Sequence, residues 1–226
     1  MNERQKQLLG LVVENYVVSA EPVGSRLLVE ESDIGVSGAT IRNEMRFLEE
    51  KGFLTQPHTS AGRMPTEQGY QYYVEHVMKP KVLVDKIKSE LQEILSMDND
   101  HARQVKNVGR YVAESANNAV IIAINSESVY YTGISNLFSQ PEFRDYAHVA
   151  SFSTIFDQCE DRLDDIFGLV KQTEPTVLIG SHNPFGRACS MIISQLKNGS
   201  LFALMGPMRM DYNKNFALIS HVQTLF

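Results

Sequence analysis

Two neighbouring segments in the N-terminal part of the chain carry side chains that bind nucleic acid well. The first is a predicted helix from about Gly38 to Lys51, with apolar residues recurring on one face. Arg pairs with guanine and Asn with adenine through two hydrogen bonds, and Ser and Thr hydroxyls suit bases or phosphates. The outward face has these residue types, and we therefore expect it to contact DNA through Ser37, Thr40, Arg42, Asn43 and Arg46.

The second segment is rich in turn formers and follows that helix directly. Residues 53–56 have a strand-like pattern, and residues 57–63 favour a turn. A hairpin in this place is the wing of a winged helix-turn-helix. Arg favours a narrow minor groove, so the predicted wing contacts are His58, Thr59, Ser60 and Arg63.

Each segment also has an ordinary structural explanation. Arg42, Asn43 and Arg46 would suit any solvated helix face, and the wing would suit any hairpin turn. The two segments stand next to each other, in the order and at the spacing of a winged helix-turn-helix. Together they favour DNA binding.

The charge of the chain is unusual for a DNA-binding protein. The formal net charge is −6, and residues 1–80 hold eight Lys and Arg against eleven Asp and Glu. Phosphate neutralisation normally supplies much of the affinity for DNA. The affinity must therefore depend on a few well-placed cations instead of a broad basic surface.

The surrounding pattern predicts elements that position both segments. A helix over residues 3–18 is followed by Pro22, a short helix to about residue 31 and a turn at Asp33–Val36. Ser37 is a good N-cap for the third helix, and Gly52 suits its C-terminal end. Thr66 then caps a helix to about Met78. Residues 1–78 are thus predicted to form a winged helix-turn-helix domain.

The remainder predicts an α+β domain. Residues 79–118 are predicted as a helical linker, with helices over 82–97 and 103–118, and residues 119–226 as the second domain. Within it, strands are expected at 119–124, 128–134, 176–180, 189–194 and 201–205, and helices at 143–170 and 213–226.

Other classes of function find little support in the sequence. No apolar run reaches the roughly 20 residues of a membrane span, and no secretory signal precedes the first helix. Cys159 and Cys189 lie outside any CxxC spacing, which favours free thiols in the cytoplasm. No metal site, cofactor or enzymatic activity is expected. Cys189 with His182 as a nucleophile and base is a weaker alternative to a buried thiol and a loop histidine.

The segment from Glu21 to Tyr73 closely resembles the N-terminal domain of HrcA, a family of bacterial heat-inducible transcription repressors. The blocks that carry the resemblance are EPVGSR, GVSGATIRNEM and LEEKGFLTQPHTSAGRMPTEQGYQYYV, with Met64 where isoleucine is expected. Later blocks resemble the family too: SNLFSQPEF at residues 135–143 and GPMRMDY at residues 206–212, where Met208 replaces a threonine. Residues 177–180 resemble the strand that carries the family's IGxEN block, in which His182 stands where a glutamate is usual.

The resemblance also reveals a difference. Family members usually exceed three hundred residues and carry a dimerising domain inserted into a GAF-like second domain. Between Ile124 and Tyr130 this chain has five residues, so the insert is missing.

Two charged residues in the GPMRMDY block, Arg209 and Asp211, have two open interpretations. They could form an ion pair that fixes the terminal helix, or they could contact a ligand.

The resemblance implies a repressor that binds an inverted-repeat operator ahead of chaperone operons and is released on heat stress. It further implies double-stranded DNA and the chaperonin as partners. An inverted repeat requires a homodimer. The alternative is a ligand-sensing regulator, whose GAF-like domain binds a small-molecule effector.

Overall fold

The computed structural model describes residues 1–31, 35–125, 128–170 and 173–226. These residues form two compact units, Met1–Lys79 and Pro80–Phe226. Part of the predicted turn at Asp33–Val36 lies outside the described residues. No helix in the described ranges is long and apolar enough to cross a membrane.

The first unit is a winged helix-turn-helix, as the sequence predicts. Three of its four helices begin at residues whose side chains accept hydrogen bonds from the first turn: Asn2 from the Gln5 N–H, Ser37 from the Thr40 N–H and Thr66 from the Gly69 N–H. The elements are α1 (Glu3–Ser19), α2 (Ser25–Glu31), α3 (Gly38–Glu50), β1 (Leu54–Thr55), β2 (Met64–Pro65) and α4 (Glu67–His76).

The core of this unit follows the helical spacing of apolar residues. On α3 the predicted inward residues are all buried, which leaves the opposite face to solvent. On α1, Val13 is buried, whereas Tyr16 and Val17 are half-buried. The buried side chains include Leu8, Leu9, Val12, Val13, Val23, Leu28, Ile41, Met45, Leu48, Leu54, Tyr70 and Tyr73.

The second unit is built on an antiparallel sheet. Its strands are β3 (Ala119–Asn125), β4 (Ser128–Thr132), β5 (Thr176–Ile179), β6 (Cys189–Gln195) and β7 (Leu201–Pro207), in the order β4-β3-β7-β6-β5. Its helices are α5 (Asp85–Ser96), α6 (His101–Ala116), α7 (Ile134–Phe138), α8 (Tyr146–Asp157), α9 (Leu163–Phe167) and α10 (Tyr212–Leu225).

Helices cover both faces of this sheet. α6 packs on β3, and α10 packs on β6 and β7. Successive side chains of a strand point to opposite faces of the sheet. Those on the face away from α6 and α10, such as Ile121 and Ile193, form a core with side chains of α7, α8 and α9. The predicted α+β class is confirmed. Within the predicted linker, residues 79–118, α5 packs on α6, and both helices belong to the second unit.

One prediction of secondary structure was wrong, and one short helix was missed. The continuous helix over residues 143–170 is broken into a 3₁₀ turn (Pro141–Arg144), α8, another 3₁₀ turn (Glu160–Arg162) and α9. Asp145 starts α8 afresh, because its carboxylate accepts the Ala147 N–H at 2.9 Å. α7 was not predicted, because its five residues are too few to show a helical period.

The strands on either side of the missing insert pair directly. β3 and β4 are antiparallel neighbours, and Asn125 stands opposite Ser128 at the end of the ladder. Residues 126–127 lie outside the described residues. Only two residues connect these strands in the sequence, so this chain carries no inserted domain between them.

Candidate nucleic-acid interface

The N-terminal end of α3 is organised by two hydroxyl groups. The Thr40 N–H donates to Ser37 Oγ at 3.3 Å, and the two side-chain oxygens are 3.1 Å apart. Ser37 is exposed and Thr40 is half-buried. This end of the helix therefore presents hydroxyl groups close to backbone N–H groups, an arrangement that suits phosphate oxygens.

The exposed face of α3 carries the three predicted base or phosphate contacts, Arg42, Asn43 and Arg46. Arg42 Nε donates to Ser25 Oγ on α2 at 3.2 Å. Arg46 Nε lies 3.6 Å from Glu50 Oε1, and both side chains are about two-thirds exposed. Ion pairs this exposed contribute little stability. Arg46 can thus exchange its partner for a phosphate at small cost.

The acidic residue Glu44 points away from that face. Its Oε2 accepts the Gln5 side-chain amide at 2.9 Å, and its Oε1 accepts the guanidinium of Arg4 on α1. These hydrogen bonds, from Gln5 and then Arg4, lower the pKa of the Glu44 carboxyl group. Glu44 is therefore bound to α1 as an ionised carboxylate and leaves the predicted DNA-contact face.

The wing is a short hairpin with a tip held by one side chain. β1 and β2 are antiparallel, with Thr55 opposite Met64. Gln56 Nε2 donates to the Thr59 carbonyl at 3.1 Å and to the Ala61 carbonyl at 2.7 Å. The predicted tip residues are all exposed, and His58 Nδ1 lies 3.2 Å from Ser60 Oγ. The tip is thus ordered and presents His58, Thr59 and Ser60.

Arg63 lies at the base of the wing and not with the tip. Its Nε and Nη2 both contact Glu49 Oε2 at 2.9 Å, and the side chain is 17% exposed. The structure therefore joins Arg63 to α3, whereas it leaves Arg42 and Arg46 on the exposed face.

Sequence reasoning missed the residues that hold these side chains in place. Ser25, Glu49 and Gln56 contact Arg42, Arg63 and the wing tip respectively. Glu49 and Arg63 are 14 residues apart on different elements, so no local pattern connects them. An amide side chain beside a turn-rich segment, as at Gln56, was a signal that could have been used.

The later sequence block has a structural role in the second unit. Arg209 Nη2 donates to Glu142 Oε2 at 3.1 Å, and their side chains are 12% and 25% exposed. Asp211 caps α10 by accepting the Lys214 N–H at 3.0 Å. Arg209 is therefore paired with Glu142 and Asp211 caps the terminal helix, which gives both residues a structural role.

The cysteines show no sign of nucleophilic activation. Burial raises the pKa of the Cys159 thiol to about 11 and that of Cys189 to about 12. Cys189 Sγ accepts a hydrogen bond from Asn183 Nδ2 at 3.1 Å and donates to the Gly186 carbonyl at 3.5 Å. Within the described ranges, no group of three or more His, Cys, Asp and Glu could hold a metal ion.

Comparison with known proteins gives a consistent set of relatives. A family model described as the HrcA protein C-terminal domain matches residues 75–215. The heat-inducible transcription repressor HrcA of Brevibacillus brevis is 42% identical over 127 residues, which cover 56% of this chain and 37% of that protein. The HrcA of Moorella thermoacetica is 27% identical over 327 residues, covering 97% of this chain and 95% of that protein.

The Moorella alignment is longer than this chain, which has 226 residues. The relative therefore carries residues that have no counterpart here.

A solved structure described as a hypothetical protein at 2.2 Å resolution has a similar fold. The match covers 99% of this chain and 96% of that chain, with a TM-score of 0.71 and 17% identity. That likeness supports the fold alone.

Proposed function

Because the chain belongs to the HrcA family, we propose that it represses heat-inducible genes by binding DNA through its winged helix-turn-helix. The relatives that it matches over 97% of its length are named heat-inducible transcription repressors.

The observation that carries the proposal is the exposed face of α3. Arg42, Asn43 and Arg46 stand together in solvent on the third helix of the motif, the helix that enters the major groove in such domains. The carboxylates of Glu44 and Glu49 are bound within the unit. The face is therefore suited to base edges and phosphates despite the acidic composition.

The operator proposed is an inverted repeat ahead of chaperone operons, bound by a homodimer. Two copies related by a two-fold axis present two recognition helices to two equivalent half-sites. The dimer contact is proposed for the second unit.

Release on heat stress and assistance by the chaperonin are further parts of the proposal. They follow from the family and not from a contact in this chain. A bacterial repressor with these partners acts in the cytoplasm, and we expect it to need no cofactor and to catalyse no reaction.

The alternative, a regulator controlled by a small effector, finds no room at the cavity in the main core of the second unit. A cavity in the core beneath α9, lined by residues such as Cys159, Leu163 and Phe185, holds about 10 Å³. Ligand pockets usually hold about 300–1,000 Å³. Aliphatic and aromatic side chains therefore occupy the space that an effector would need at this position.

The test is a gel shift with the full chain on three DNA duplexes: an inverted repeat from the organism's own chaperone promoter, one half-site, and a scrambled repeat. We expect tight binding to the inverted repeat alone, strengthened by chaperonin and weakened on heating. Equal affinity for the scrambled repeat would contradict the proposal. A thermal-shift screen with metabolites tests the alternative, which requires a stabilising ligand.

A further inference from the structure

The wing is attached at its base to the chain that precedes α2. The Val23 N–H donates to the Arg63 carbonyl at 2.8 Å, and the Arg63 N–H donates back to the Val23 carbonyl at 2.9 Å. A Cβ added at Gly62 would lie 2.4 Å from the Val23 carbonyl oxygen, so the two segments approach closely. These contacts fix the backbone position of Arg63.

The Arg63 side chain makes a second attachment, to the last turn of α3. Two of its nitrogens share Glu49 Oε2 at 2.9 Å, and the side chains are 17% and 32% exposed. Hydrogen bonds between charged groups are stronger than neutral ones, and partial burial reduces their screening by salt. The pair therefore sets the spacing between the wing and the recognition helix.

We propose that Arg63 is a positioning residue, which supports DNA recognition through Glu49 and does not itself contact DNA. This inference rests on the proposed function, since it assumes that α3 and the wing bind DNA together. If Arg63 turned towards a phosphate, the Glu49 carboxylate would lose its counter-charge on the recognition helix and repel the DNA backbone.

Arg46 shows what an available cation looks like in the same unit. Its contact with Glu50 is 3.6 Å long and lies between exposed side chains, so the pair contributes little and separates easily. By contrast, the Arg63 contact is shorter and largely buried. The charge that meets the phosphates therefore comes from Arg42 and Arg46.

The wing itself then contacts DNA through its tip. His58, Thr59 and Ser60 are exposed and are held by the Gln56 amide and the hairpin. Hydroxyl and backbone N–H groups of this kind bind phosphate and sugar oxygens, and such contacts fix the register of a protein on DNA. The distance of His58, Thr59 and Ser60 from the DNA depends on how the Arg63–Glu49 pair positions the wing relative to α3.

The salt dependence of operator binding by the full chain tests this division of roles. The variants are Arg63→Met, which keeps an apolar stem, and Arg42→Ala as the matched comparison. A side chain that neutralises one phosphate contributes about one unit to the slope of log K against log salt. We expect Arg63→Met to weaken binding about ten-fold with an unchanged slope, and Arg42→Ala to lower the slope by about one. A slope that falls by about one in Arg63→Met would overturn the inference.

A double-mutant cycle gives a second readout. If Arg63 acts through Glu49, Glu49→Gln also weakens binding, and the double variant binds no more weakly than Arg63→Met. If Arg63 contacts DNA, Glu49→Gln frees the cation and binding becomes tighter, which would refute the positioning role.

Loss of folding is monitored by circular dichroism of each variant. Should Arg63→Met unfold, Arg63→Gln replaces it. Glutamine keeps an N–H donor for Glu49 but carries no charge, so a slope lowered by about one would contradict the inference and an unchanged slope would support it. A parent chain that binds no inverted repeat contradicts the proposed function instead.

Discussion

Arg42 and Arg63 have the same side chain in different surroundings. The guanidinium of Arg42 lies in solvent beside the Ser25 hydroxyl, whereas Arg63 is held by a carboxylate and by a backbone bridge to Val23. An exposed cation is available to a partner, and a paired one maintains the shape of its own domain. Residue type alone does not separate these roles.

The first prediction concerns Arg42 as a DNA contact. Arg42→Ala should weaken binding to the inverted repeat by about 1–3 kcal/mol, because one charge-assisted contact is lost. Fluorescence anisotropy with labelled operator measures the change. Arg103→Ala is the control, since that arginine is 72% exposed on α6 in the other unit. Equal affinities of the parent and Arg42→Ala would refute the role assigned to Arg42.

The second prediction concerns the close approach at Gly62. Gly62→Ala should lower the free energy of unfolding by about 1–3 kcal/mol, because the new methyl group meets the Val23 backbone. Gly24→Ala is the matched control, since an added Cβ there has no atom within 4 Å. Urea denaturation of the full chain compares the two, and equal stabilities would show that the wing base adjusts freely.

At the scale of elements, one ion pair ties the end of β7 to the segment before α8. Arg209 follows β7, and Glu142 lies in the 3₁₀ turn at Pro141–Arg144. Gln140 adds a contact next to this pair, because its amide donates to the Asn117 carbonyl at 2.7 Å. The two sequence blocks that resemble the HrcA family therefore meet in the second unit as structural partners.

The third prediction follows from that pair. Arg209→Ala should destabilise the chain by about 2 kcal/mol, below the roughly 3–5 kcal/mol of a fully buried pair, because both side chains retain some solvent contact. Lys81→Ala is the control, since its pair with Asp211 is more exposed and should contribute under about 1 kcal/mol. Equal urea midpoints would contradict this ranking.

The fourth prediction concerns the pH dependence of stability that the cysteine thiols of the second unit cause. Burial raises the thiol pKa values to about 11 for Cys159 and about 12 for Cys189, and it raises that of Tyr111 to about 12. Above about pH 9 the unfolded chain begins to ionise these thiols while the folded chain keeps them neutral. The stability that they contribute is present below pH 9 and is lost as the pH rises towards 11–12.

Urea denaturation between pH 7.5 and 10.5 measures this loss. Thiol labelling at pH 8 gives an independent check, because the neutral buried thiols should react much more slowly in the folded chain than in urea. Fast labelling of the folded chain would contradict the assigned burial.

The whole molecule is acidic, with a net charge of −6. On the proposed function, long-range attraction to DNA should therefore be weak, and recognition should depend on the small exposed face of α3 and the wing tip. Since that face belongs to one helix and one hairpin, we expect operator binding to need two copies placed on one duplex.

The fifth prediction is a shallow salt dependence for binding to non-operator DNA. Few phosphates are neutralised by the exposed cations of α3, so the slope should be small compared with that of a strongly basic protein, which reaches about −10 in the steepest cases. Titration of random duplex DNA at several salt concentrations measures it. A steep slope would reveal a basic surface elsewhere on the chain.

The sequence by itself determined the local features of this protein. Helical spacing and caps such as Ser37 and Thr66 predicted α3 and its exposed face, and apolar runs predicted the strands of the second unit. These features depend on neighbours a few residues apart, whose geometry is the same wherever the element lies. DNA contact by the predicted residues stays a prediction, although their exposure on α3 and the wing tip agrees with it.

Tertiary structure decided which charges pair and where strands lie. The Arg63–Glu49 and Arg209–Glu142 pairs join residues 14 and 67 positions apart, and β3 lies beside β7 instead of β5. Such contacts depend on the direction in which whole elements pack, and no local pattern in the sequence encodes that direction.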